Sequence, residues 1–153
     1  MNNQLYLFNP FQIKKKNEIE LKDIYEEVYK TLTEEPNTMY EYAHNIEVYS
    51  NLNYIIGEIV ARLQKDVIEL KTKIKIDTAI TQTEERKKWN DGKPPAISYF
   101  EALATRFSQA DINKLAEKEC SLMRFKNAYK STEEKINALK KKMDSIKYEE
   151  FNN

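Results

Sequence analysis

The side chains with most capacity for chemistry are cations set beside aromatic rings. Arg86-Lys87-Lys88-Trp89, followed by Lys93, gathers four cations around the one tryptophan of the chain. Single-stranded nucleic acid calls for this pairing. Cations track the phosphates, and an aromatic face stacks on an unpaired base, worth about 1–3 kcal/mol per base. Tyr99 or Phe100 could add a second ring. Lys71, Lys73 and Lys75 lie in Leu70-Lys71-Thr72-Lys73-Ile74-Lys75. On a helix Lys71 and Lys75 share a face, with Lys73 displaced around the cylinder. Lys140-Lys141-Lys142 forms a third, weaker cluster. The plainer reading of each cluster is a solvated, salt-bridged helix surface. Repetition around an oligomer would let individually weak contacts add along one strand.

Other constellations offer less. Glu41-x-x-His44 has the spacing of one half of a carboxylate-bridged di-metal site. Such a site needs the motif twice, and His44 is the only histidine, so no metal is expected and a helix-surface histidine is the simpler reading. Cys120 stands alone, without an intramolecular disulfide partner; a small semi-buried residue in a reducing cytoplasm is the expectation. There is no nucleotide-binding glycine loop and no catalytic triad. The chain therefore reads as a binding protein without cofactor rather than an enzyme.

The elements that must position these residues are helical. With only 2 Gly and 4 Pro in 153 residues, there is little material for tight β-turns, and one domain of ordinary size is expected. No apolar run is long enough to span a membrane, and no secretory leader is evident. Ile46, Tyr49, Asn53, Ile56, Val60, Leu63, Val67, Leu70 and Ile74 recur at alternating spacings of three and four, the a/d stripe of a coiled coil. Asn53 is either a polar core position that fixes register or an exposed neighbour of a stripe that shifts locally to Leu52. No proline interrupts Asn37 to Trp89, so one helix of roughly 50 residues, ~75–80 Å long, can form. Asn90-Asp91-Gly92-Lys93-Pro94-Pro95 is a loop, and Ser98 with Glu101 reads as a capping box. A second stripe runs Leu115, Lys118, Leu122, Phe125, Tyr129, Thr132, Ile136, Leu139, Met143 and Ile146.

The expected fold is thus all-α: a long helical hairpin or coiled coil with a short N-terminal helix and an extended N-terminal arm. The arm would cover 1–16 and a single helical domain 17–153, with helices at about 17–33, 38–89, 98–109 and 111–149. Narrow stripes bury little per residue, so self-association is expected, with Tyr49, Ile56, Val60, Leu63, Val67 and Leu70 at the oligomer interface.

Within the arm, Gln4-Leu5-Tyr6-Leu7-Phe8 resembles the sliding-clamp-binding pentapeptide of bacteria, Gln-Leu-x-Leu-Phe. That resemblance implies a clamp partner gripping Gln4, Leu5, Leu7 and Phe8. Folding of these residues over the protein's own helices, or over a neighbouring subunit, is the alternative.

Tyr40-Glu41-Tyr42-Ala43-His44-Asn45-Ile46-Glu47-Val48-Tyr49-Ser50 resembles the Tyr-Glu-x-Ala-x-Asn-x-x-x-Tyr-Ser opening of the long helix in UvsY-type phage recombination mediators. The likeness continues as pattern from about Met39 to Ile146. It implies a helical, ring-forming homo-oligomer in the host cytoplasm that binds single-stranded DNA. It also implies two protein partners, a RecA-type recombinase and the single-strand-binding protein that the recombinase must displace. The family's DNA-contacting Leu-Lys-x-Arg element falls on Ile74-Lys75-Ile76-Asp77, where Asp77 replaces the second cation; Leu70-Lys71-Thr72-Lys73 restores the pattern one turn earlier. The contrasting reading is a non-enzymatic helical adaptor or inhibitor acting through protein contacts, tethered to the clamp.

Overall fold

The computed structural model describes residues 26, 28–89 and 92–152. Among the described residues three long helices follow one another, α1 Met39–Lys87, α2 Ile97–Phe107 and α3 Gln109–Asn152. The fold is all-α, and a long helical hairpin describes it. The arm residues Gln4, Leu5, Leu7 and Phe8, and most of the helix expected at 17–33, lie outside the described residues.

Both ends of α1 and the junctions around α2 have identifiable chemical causes. At the start of α1, the Glu41 amide donates to Thr38 Oγ1 at 3.3 Å. Glu41 Oε2 in turn accepts from the amides of Asn37 and Thr38, at 2.9 and 3.0 Å. This is a reciprocal capping box, which satisfies amides that the first turn leaves without helical partners. Arg86 and Lys87 close α1 with charge that suits the negative end of the helix dipole. Gly92 then takes φ 70°, a left-handed conformation that costs glycine little. The expected Ser98–Glu101 capping box does not form. Pro94 and Pro95 favour extended backbone, Ala96 continues it at ψ 151°, and α2 begins at Ile97 with no side-chain cap. Ser108 separates α2 from α3 and donates its amide to the Ala104 carbonyl at 3.0 Å.

The chain divides into two compact units. The first comprises Met1–Ile59 with Phe125–Asn153, the second Val60–Arg124. In the first unit, Val48, Leu52, Ile55, Ile56 and Ile59 of α1 are buried, as are Phe125, Ala128, Ile136 and Leu139 of α3. Gly57 lets the helices approach: a Cβ there would lie 3.2 Å from Tyr129 Cε2. In the second unit Val67, Phe100 and Ala104 are buried, and Leu63, Leu70, Ile74, Leu115 and Leu122 are half-buried.

The α3 stripe lies on the inner face throughout, buried or half-buried at all ten expected positions. The α1 stripe needs correction in its first half. There the buried positions are Asn45, Val48, Leu52, Ile55, Ile56 and Ile59, whereas Ile46, Tyr49 and Asn53 are half-buried. From Leu63 onward the expected positions face inward. The cause is the mismatch between a repeat of 3.5 and a helix of ~3.6 residues per turn, which drifts about 20° per heptad. Leu52 is fully buried. Asn53 therefore sits beside the seam, although its Oδ1 is enclosed without a hydrogen-bond partner among the described residues.

Candidate nucleic-acid interface

Helix pairing inside the second unit decides which lysines are free. Lys71 Nζ lies 2.6 Å from Glu119 Oε1, on the facing stretch of α3. Lys73 donates to Asp111 Oδ2, with Asp77 at 3.8 Å on its other side. The Asp111 hydrogen bond, aided by both carboxylates, raises the pKa of Lys73. Asp66 and Lys118 form a further pair at 2.7 Å. Two of the three lysines in the Lys71–Lys75 cluster are thus engaged across the helix pair. Lys75 is exposed and has no ion-pair partner among the described residues.

The loop end differs. Lys88 pairs with Glu85 at 2.6 Å, and that hydrogen bond raises its pKa. Arg86, Lys87 and Lys93 are exposed, and none has an acidic partner among the described residues. Between them Trp89 is 44% exposed, just past the end of α1. Tyr99 is 52% exposed, and its ring meets Phe100 edge-on, with centroids 5.5 Å apart and planes at 83°. Phe100 itself is buried, so of the two rings only Tyr99 has a face open to a base. Arg106, two turns along α2 on the flank that holds Tyr99, is a further exposed cation. Its seven-residue spacing from Tyr99 is the signal in the sequence that could have pointed to it.

The expected interface residues divide by unit. Ile56 in the first and Val67 in the second are buried within the chain itself. Tyr49, Val60, Leu63 and Leu70 are half-buried. The three lysines Lys140, Lys141 and Lys142 are exposed.

The two residues considered for metal binding hold structure at the entry to α1. Glu41 caps α1, and its capping hydrogen bonds hold its pKa below the usual carboxylate range. His44 Nε2 donates to the Thr31 carbonyl at 2.9 Å. No cluster of three metal-ligating side chains occurs among the described residues. Cys120 is exposed rather than semi-buried. No helix among the described residues is long and apolar enough to cross a membrane.

Asn45, inside the Tyr40–Ser50 segment, has a structural role that no local pattern signals. The Thr33 amide donates to Asn45 Oδ1 at 2.9 Å, and Asn45 Nδ2 donates to the Thr33 carbonyl at 2.8 Å. The side chain is buried and pins the incoming chain to α1. Ser50, in the same segment, donates to the Ile46 carbonyl within its own helix. Glu41, Asn45 and Ser50 are thus all occupied in holding structure. No family model, no curated protein and no solved structure matches this chain.

Proposed function

We propose that the chain binds single-stranded DNA at the loop end of its second unit and acts, as a homo-oligomer, in recombination mediation. In this reading it helps a RecA-type recombinase onto DNA held by single-strand-binding protein, and it has no catalytic centre. The observation that carries the binding is the grouping of exposed Trp89 with Arg86, Lys87 and Lys93, cations without acidic partners among the described residues. The mediator role draws on the resemblance at Tyr40–Ser50. Loading then works by differential binding: a strand held extended is a poorer ligand for single-strand-binding protein and a better one for the recombinase.

The test is a fluorescence-anisotropy titration with single- and double-stranded oligonucleotides over a salt series. Affinity should favour the single strand and fall steeply with salt. Lys87→Ala or Lys93→Ala should each lower the salt slope by about 1. Lys71→Ala should leave the slope unchanged, because its charge is already met by Glu119. Equal affinity for duplex, or indifference to salt, would overturn the proposal.

A further inference from the structure

Helix α2 carries chemistry that the loop-end grouping leaves unused. Tyr99 is half exposed, and its edge-on contact with buried Phe100 holds the ring in place. Arg106 is exposed and has no acidic partner among the described residues. Seven residues carry it two turns along the helix, onto the flank of Tyr99 and about 10 Å further along the axis. Ala102, on the same side between them, is too small to crowd the ring. The one acidic residue of α2, Glu101, stands two residues from Tyr99 and five from Arg106, which places it on the opposite side of the helix. The flank therefore presents a ring face and a cation with no carboxylate of α2 beside them.

We propose that this flank of α2 is a second subsite for the same single strand, where Tyr99 stacks on a base and Arg106 meets a phosphate. The proposal rests on the single-strand reading of the loop end. Trp89 and Tyr99 both belong to the second unit. Ten residues of chain join them, so they are at most about 36 Å apart. Lys93, exposed and without an acidic partner among the described residues, falls within that stretch. Ring, cation, ring and cation thus follow in chain order as Trp89, Lys93, Tyr99 and Arg106. A flexible strand uses that composition in full, since its bases meet rings and its phosphates meet cations. The restrained Tyr99 ring gives up little further freedom on stacking. Two subsites on one strand also reinforce each other, because occupation of the first concentrates the strand at the second.

Fluorescence-anisotropy titration of the full chain with a labelled oligothymidylate over a salt series tests the subsite, with Trp89 emission and circular dichroism followed in parallel. Tyr99→Ala should weaken binding by roughly 5- to 150-fold, the cost of one lost stack. Tyr99→Phe should keep wild-type affinity, because stacking uses the ring and not the hydroxyl. Arg106→Ala should lower the salt slope by about 1, and Arg106→Lys should keep it. Arg124→Ala, which removes an exposed cation far along α3, should leave the slope unchanged. Wild-type affinity in Tyr99→Ala, an unchanged slope in Arg106→Ala, or an equal fall in Arg124→Ala would overturn the inference. In those cases saturable quenching of Trp89 leaves the loop-end reading standing, whereas a wild-type protein that ignores the single strand removes both. Should Tyr99→Ala lose helicity, Arg106→Ala decides, since its side chain is exposed. Ile97 and Phe107 are also exposed on α2, so a protein is the rival occupant. A changed assembly mass in Tyr99→Ala, with wild-type affinity for the strand, would assign the flank to that rival.

Discussion

Asn45 and Glu41 show how single polar side chains can hold the entry to a long helix. Asn45 meets both backbone groups of Thr33. Asn45→Ala removes both partners at a part-buried site, and a loss of about 1–3 kcal/mol is expected in denaturant unfolding. Thr38→Ala removes one half of the cap and should cost roughly 1 kcal/mol. Glu41 adds a pH dependence. Its folded pKa is lowered by hydrogen bonds from Asn37 and Thr38. The stability it contributes is therefore complete above the unfolded carboxylate value and is lost as pH falls through the folded one. Glu41→Gln should flatten that acid limb in a pH series of thermal melts, and an unchanged limb would contradict the capping role. Thr38-x-x-Glu41 is a legible capping signature, but Glu41 also fitted a metal half-motif with His44, and spacing alone does not separate the two. Asn45 was illegible for another reason: its partner is a backbone twelve residues away, which no local pattern encodes.

Helices and their faces were more readable than their registers. Apolar periodicity located α1, α2 and α3 to within about three residues at each end, and the α3 stripe coincided with its buried side. The α1 stripe was misphased before Leu63, because a sequence pattern read at 3.5 does not reveal where the real helix face has drifted. Acidic partners were missed for a related reason. Glu119 and Asp111 meet Lys71 and Lys73 only through the antiparallel pairing of α1 with α3 inside the second unit, whose register depends on where the loop turns. Close packing at Gly57 gives a test of the pairing in the first unit. Gly57→Ala gains about 1 kcal/mol of helix propensity, offset by a shift of a few tenths of an ångström in Tyr129, so little net change is expected. Gly57→Leu should overpack the site and cost about 1–3 kcal/mol in thermal or denaturant unfolding. A stabilised leucine variant would contradict the close approach.

At the scale of the whole molecule, charge is balanced in sum and unequal in distribution. Residues 1–60 hold 5 basic and 10 acidic groups, and residues 61–153 hold 20 and 15. Three of those twenty cations, Lys71, Lys73 and Lys118, pair with carboxylates of the facing helix, so the basic count overstates what a polyanion would meet. What stays available at the loop end is a small set of cations around Trp89, with Tyr99 and Arg106 on α2. Composition and spacing pointed to Arg86, Lys87, Trp89 and Lys93 as candidates, and to Lys71 and Lys73 equally. Only the helix pairing separates the two groups, by meeting one with carboxylates.

Trp89 makes single-strand binding directly measurable, because it is the one tryptophan of the chain. A single-stranded oligonucleotide should quench its emission saturably, with a midpoint that moves to higher concentration as salt is added. Trp89→Ala should weaken binding by about 1–3 kcal/mol. Emission that stays unchanged while the oligonucleotide binds, or a Trp89→Ala protein of wild-type affinity, would contradict it.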